Sequence, residues 1–172
     1  MIPATQPLRD EHRALLPELG ALRVAADAVG SPAAAEQLDR ARRLLDRHLL
    51  PHMAAEEATL YLTINRLAGN DATATMRRDH DEIRKRIGAL DPLRGSSGPD
   101  SGAEGELRAA LYGLDAIIRL HLAKEEELYY PLLDTQLSGD EAAQLVAEVH
   151  EVERDLYHQA TGTPADEGQE RP

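Results

Sequence analysis

Between Leu107 and Leu132 the positions 107, 111, 114, 118, 121, 125, 128 and 132 step by four and three, and six of these eight are leucine or isoleucine. A helix of about 3.6 residues per turn gathers such positions on one side, whereas a strand would scatter them. The other two are His121 and Glu125, set in the apolar line itself. Three further stretches repeat the arrangement: Leu8, His12, Leu15, Leu19, Leu22, Ala26 and Val29; Leu38, Ala41, Leu45, His48, His52 and Glu56, continuing less cleanly through Thr59, Thr63 and Leu67; and Met76, His80, Ile83, Ile87 and Leu90. Aromatic residues are only 3% of the chain, with no Phe or Trp, so the core must be built from Leu, Ile, Val and Ala. Such residues at helical spacing favour a helix bundle.

Breaker residues divide the 172 residues into helices of one domain. Helix A is expected from about Gln6 to Val29, ending at Gly30, and Ser31 with Pro32 opens helix B, which lasts to about Leu67. Asp71 caps helix C, the Gly, Pro and Ser of Asp91 to Gly102 form the longer loop, and helix D runs from about Ala103 to Gln136. Ser138 and Glu141 make a capping box that starts helix E, reaching about Tyr157. The fold class is all-α: an up-down four-helix bundle over about 6–136 with an additional C-terminal helix over about 139–157, a domain of 1–160, and a disordered tail over 161–172. Pro17, Pro51 and Pro131 fall inside these helices and should bend or break them.

A net charge of -12 opposes any phosphate backbone, which argues against nucleic acid and anionic membrane surfaces as partners. No apolar run approaches the roughly 20 residues that span a bilayer and no apolar leader opens the chain, so a cytoplasmic location is expected. With no cysteine, any metal must be held by nitrogen and oxygen.

A carboxylate buried without a partner costs on the order of several kcal/mol or gives up its charge. Glu56 and Glu125 each follow a histidine by four residues, which on a helix places both side chains on one face a turn apart, where a cation can compensate them. The arrangement is duplicated. His52 to Tyr61 and His121 to Tyr130 share H-x-A-x-E-E-x-x-x-Y at an offset of 69, and Arg9, Glu11, His12, Leu15 and Leu19 align with Arg77, Asp79, His80, Ile83 and Ile87 at an offset of 68. Two helical hairpins, each giving His, His and Glu, imply two ions. Each would receive two histidines while both glutamates bridge, leaving room for a bridging oxo or hydroxo group and an open position. Iron suits this donor set best, then manganese, then zinc. The metal-ligating set is His12, His52, Glu56, His80, His121 and Glu125.

Neighbouring polar residues read differently. His48 aligns with Ile117 and belongs beside the centre, not in it, while Glu57 and Glu126 lie one residue round the helix and suit solvation or ion pairing. Tyr61 and Tyr130, nine residues after their histidines, project half a turn away and should pack between helices, whereas Tyr129, four after Glu125, is better placed to reach the pocket. His150 and His158 suit surface or packing roles, and Met76 fills core beside His80.

These residues resemble the hemerythrin-like, or HHE cation-binding, family over about Leu8 to Leu133: an early His12, His52-x-x-x-Glu56, a third-helix His80, and His121-x-x-x-Glu125. The resemblance implies carboxylates bridging two non-haem irons and an open position for dioxygen, nitric oxide or peroxide. The dioxygen carriers of the family offer a second third-helix histidine one turn from the first, where this chain has Met76 and Arg84. Their second carboxylate is Asp, one residue further on. The resemblance therefore implies binding or sensing of a small ligand, with catalase-like decomposition of hydrogen peroxide or another oxidation as the enzymatic alternative. A metal-free helical interaction module is the reading from a different class.

Overall fold

The computed structural model describes residues 3–95 and 102–162. Among them every regular element is helical and none is a strand. In chain order these are α1 (Gln6–Glu18), α2 (Gly20–Ala28), α3 (Ala34–Leu44), a π-helical turn (Leu45–Leu49), α4 (Leu50–Ala58), α5 (Leu60–Ala68), α6 (Ala74–Gly95), α7 (Ala103–Lys124), a second π-helical turn (Glu125–Tyr129), α8 (Tyr130–Gln136) and α9 (Gly139–Thr161). No helix among the described residues is long and apolar enough to cross a membrane.

The expected helices are present but jointed, and the joints have identifiable causes. Helix A divides into α1 and α2 at Leu19, with Pro17 in the last turn of α1. Pro51 and Pro131 each follow a π-helical turn that interrupts the α-helix, in which Leu50 N–H bonds Leu45 O and Tyr130 N–H bonds Glu125 O. A proline cannot donate to the carbonyl four residues back, and the widened turn just before it absorbs that missing bond. Between α4 and α5 the break is at Thr59, whose dihedrals (φ -131°, ψ -69°) leave the helix while its hydroxyl donates to Ala55 O at 2.7 Å.

Several boundaries shift. Helix B starts at Ala34, because Ser31 accepts Ala33 N–H in a tight turn instead of capping the helix. The third helix starts at Ala74 and not at Asp71; Thr73, fully buried, is held through its N–H and hydroxyl by the Asn65 side chain. That helix then runs through Pro92 to Gly95, so the expected loop of Asp91 to Gly102 is helical over its first five residues. Leu93 packs on the core there, and Asp91 and Arg94 pair with Arg42 and Asp39 of α3. The remainder, 96–101, lies outside the described residues. The capping box at Ser138 and Glu141 forms as expected, and α9 continues to Thr161, past Tyr157. The tail over 163–172 lies outside the described residues.

The helices pack α6 along α7, α2 against α3 and α7, and α4 against α9. Buried side chains form two apolar clusters. One contains Leu19, Leu22, Leu45, Ile83, Ile87, Leu111, Leu114 and Ile118. The other contains Leu8, Leu60, Tyr61, Ile64, Met76, Tyr130, Leu133 and Val149. On α1, α6 and α7 with its continuation, a short polar stretch separates residues of the first cluster from residues of the second, and that stretch carries His12, His80, and His121 with Glu125. Asp115 is buried, and Arg23 of α2 at 2.6 Å and Arg119 at 2.8 Å cover it, tying α2 to α7.

Candidate metal centre

Every residue of the polar layer is held by a helix whose apolar line it interrupts. His12 comes from α1, His52 and Glu56 from α4, His80 from α6, His121 from the end of α7 and Glu125 from the first position of the second π-helical turn. All six are buried, none above 4% exposure, although nothing in their side-chain chemistry favours an apolar interior.

The six side chains converge. Glu56 turns Oε1 to His52 Nε2 at 3.3 Å and Oε2 to His80 Nε2 at 3.5 Å. Glu125 turns Oε1 to His121 Nε2 at 3.5 Å and Oε2 to His12 Nε2 at 3.6 Å. Each carboxylate thus divides its two oxygens between two histidine pairs, His12 with His52 and His80 with His121. The donor atoms of His12, His52, Glu56 and Glu125 lie within 4.8 Å of one another, and so do those of Glu56, His80, His121 and Glu125. Separations of 2.8 Å (His80 Nε2 to His121 Nε2) to 3.6 Å suit neighbouring donors at about 2.0–2.2 Å from a common ion.

The other imidazole nitrogens face carboxylates. His80 Nδ1 is hydrogen-bonded to Glu57 Oε1 at 2.7 Å, and His12 Nδ1 faces Glu126 Oε1 at 3.3 Å. His121 Nδ1 bonds Asp79 at 3.5 Å, and His52 Nδ1 faces Glu153 at 3.8 Å. An imidazole fixed through Nδ1 presents Nε2 in a set direction, the usual way a protein aims a histidine at a metal. Glu57 also holds Arg84 at 2.9 Å, so ion pairing describes it better than solvation.

The tyrosines depart from the sequence expectation. Tyr61 and Tyr130 do not merely pack between helices: Tyr61 Oη donates to Glu125 Oε1 at 2.7 Å and lies 3.2 Å from His80 Nε2, while Tyr130 Oη lies 2.9 Å from His12 Nε2. Tyr129 donates instead to Ala72 O. The break at Thr59 and the π-helical turn at Glu125–Tyr129 explain this, since one residue without its share of helical rotation lets a residue five after the glutamate face as a residue four after it would. Arg9 and Arg77 stack over the Tyr130 and Tyr61 rings, at 5.1 and 5.5 Å. His48 is exposed against the Tyr157 ring, and Met76 is buried in the second cluster.

Burial, reinforced by the charge of His52, lowers the His12 imidazole to about 2, and burial with the charge of His121 does the same to His80. His52 and His121 fall to about 4 for the first of these reasons. All four are therefore neutral at ordinary pH. Burial and the facing Glu125 raise Glu56 well above the carboxylate range; burial also raises Glu125, against the pull of the Tyr61 hydrogen bond. Burial keeps both phenols protonated. Neutral imidazoles beside carboxyls that ionise only with compensation are what a cation requires. Glu56 Oε1 and Oε2, Glu125 Oε2 and His52 Nε2 are buried without hydrogen-bond partners, so the residues present fit a bound metal.

Beside His52 a cleft of about 160 Å³ is lined by Glu11, Ala14, Leu15, Glu18, His48 and Glu153. Burial pushes Glu11 and Glu153 up to about 7.

An all-helical chain with two histidine pairs sharing two buried carboxylates has the character of a cation-binding domain. The hemerythrin HHE cation-binding domain family matches residues 4–133 of the 172, and the chain belongs to that family. No curated protein and no solved structure matches it.

Proposed function

We propose that the chain is a non-haem di-iron protein that binds dioxygen, nitric oxide or a related small ligand and so buffers or reports it. In this reading the bundle is an up-down four-helix domain with α9 added. His12 and His52 would hold one ion and His80 and His121 the other, with Glu56 and Glu125 within reach of both. The observation that carries the reading is the division of each carboxylate's oxygens between the two histidine pairs. Bound iron supplies the affinity for the ligand and any electrons exchanged with it. The chain's own residues do the rest: Glu57 and Asp79 hold Nδ1 of His80 and His121, Glu126 faces that of His12, the two apolar clusters keep bulk water from the layer, and Tyr61 and Tyr130 keep a proton at Oη beside His80 and His12.

Elemental analysis of the purified protein, with absorption spectra before and after adding azide or nitric oxide, tests the proposal. Two irons per chain with a ligand-dependent spectrum are expected; a chain without stoichiometric metal contradicts it.

Decomposition of hydrogen peroxide is the second reading, favoured by the third helix. Met76 is buried apolar filling and Arg84 is tied to Glu57, so neither supplies a further donor. Fewer protein donors leave more room for peroxide. Oxygen evolution should exceed that of free iron and vanish in Glu56→Ala; equal rates in all three remove this reading.

A further inference from the structure

The two halves of the centre match in sequence but not in how their histidines are held. His80 and His12 each lean on the second glutamate of the opposite half, Glu57 and Glu126. His121 leans within its own half on Asp79, which Lys124 also contacts. At the repeat offsets, the counterparts of His121, Asp79 and Lys124 are His52, Glu11 and Ala55. Ala55 cannot supply the cation that Lys124 supplies. Glu11 is instead in close contact with His150 of α9, and the carboxylate facing His52 Nδ1 is Glu153, one helical turn further along α9.

We infer that α9 is a working part of the centre: Glu153 positions the His52 imidazole, with His150 holding Glu11 in the place its counterpart Asp79 fills in the other half. The inference rests on the metal reading above and goes beyond the family match, which ends at residue 133. Four observations carry it. α4, which bears His52, packs directly on α9. His52 is nearly fully buried, so few groups can reach its Nδ1. Among the described residues, Glu11 and Glu153 are the acids that group with His52 on this side, their atoms within 4.8 Å of one another. Glu153 is about 28% exposed at the edge of the cleft, open enough to be replaced without disturbing the core.

The consequence is inequality. The ion held by His12 and His52 depends on a carboxylate from outside the matched segment at 3.8 Å, while the other ion's histidines are held from within it at 2.7 and 3.5 Å. Loss of a carboxylate that orients a ligating histidine typically weakens metal binding about 10- to 100-fold.

The experiment loads the full chain with cobalt(II) and reads the shifted, solvent-exchangeable imidazole N–H resonances alongside a calorimetric titration. The wild type should show four such resonances and two bound ions. Glu153→Gln should move or lose one resonance, leave three in place, and weaken one of the two binding steps about 10- to 100-fold. Glu148→Gln, on the exposed side of α9, should leave all four unchanged. Four unchanged resonances and wild-type binding in Glu153→Gln overturn the inference, as does the one-resonance change appearing in Glu11→Gln alone. A wild type that binds no cobalt is a different result: it overturns the metal reading and this inference with it.

Discussion

On one side of the polar layer Leu107, Leu111, Leu114 and Ile118 keep the four-three step and are all buried; on the other, beyond Glu125, the step fails. Leu128, next in the line, is 61% exposed, and Leu133 is buried where Leu132 was due. The first hairpin slips in the same place: Leu60, Tyr61 and Ile64 go inside, and Thr59 and Thr63 do not. Along α7 that side is a core whose content its spacing already states, although the same cluster also takes in the joint at Leu19 and the π-helical turn at Leu45–Leu49. The irregular side gives up one residue's share of helical rotation in each half and in exchange directs a phenol at a buried histidine. Helical irregularity of this kind often accompanies functional sites.

The largest effect should come from the layer itself. Because each carboxylate reaches both histidine pairs, Glu56→Ala or Glu125→Ala should lose both ions and not one, whereas Leu111→Ala on the regular side should keep them; metal analysis of the three variants decides. One ion retained in Glu56→Ala would break the shared-carboxylate picture.

Next come the two leucines that distinguish the slipped side from a continuous stripe. Leu133→Ala should cost about 2–5 kcal/mol, and Leu128→Ala should stay within about 0.5 kcal/mol. Denaturant unfolding measures both, and a reversed order would restore the unbroken stripe.

The pH response separates the layer from its apolar surroundings. The four imidazoles, lowered from 6.5 to about 2 or 4, contribute stability above pH 6.5 that is lost as pH falls toward those values. Glu11 and Glu153, raised from 4.5 to about 7, have the opposite sign: their contribution is full below 4.5 and is lost as pH rises through about 7. Glu56 and Glu125 are raised in the same sense. A bound cation stabilises the ionised Glu56 and Glu125 and cancels their share of that loss. The gap between the unfolding midpoints of loaded and chelated protein should therefore widen as pH rises through about 7, and a gap constant from pH 5 to 8 speaks against the account.

The smallest effect belongs to the phenols. Tyr61→Phe should lower the stability of the metal-free chain by about 1 kcal/mol while leaving metal content unchanged. Loss of an ion would promote Tyr61 to the donor set.

How much of this could be read from the residues depended on helical regularity. The gathering of His12, His52, Glu56, His80, His121 and Glu125 was legible because each stands in the four-three line of its helix, and the π-helical turn at Leu45–Leu49 leaves His52 and Glu56 buried beyond it. Tyr61 and Tyr130 face the layer against expectation because uniform α-helical rotation does not hold through Thr59 or through Glu125–Tyr129. Pro131 carried the signal for the second joint, as Pro51 did for the first π-helical turn; Thr59 has no such marker. Burial of Asp115 was hidden because its partner Arg23 is distant in sequence, and Glu153 because no carboxylate-spacing rule connects α9 to α4.

The central claim is that two ions share Glu56 and Glu125 between two histidine pairs. Anomalous diffraction at the iron edge from crystals of the iron-loaded chain tests it most directly. The account predicts two peaks, one beside His12 and His52 and one beside His80 and His121, with both carboxylates between them; a single peak, or none in that layer, would contradict it.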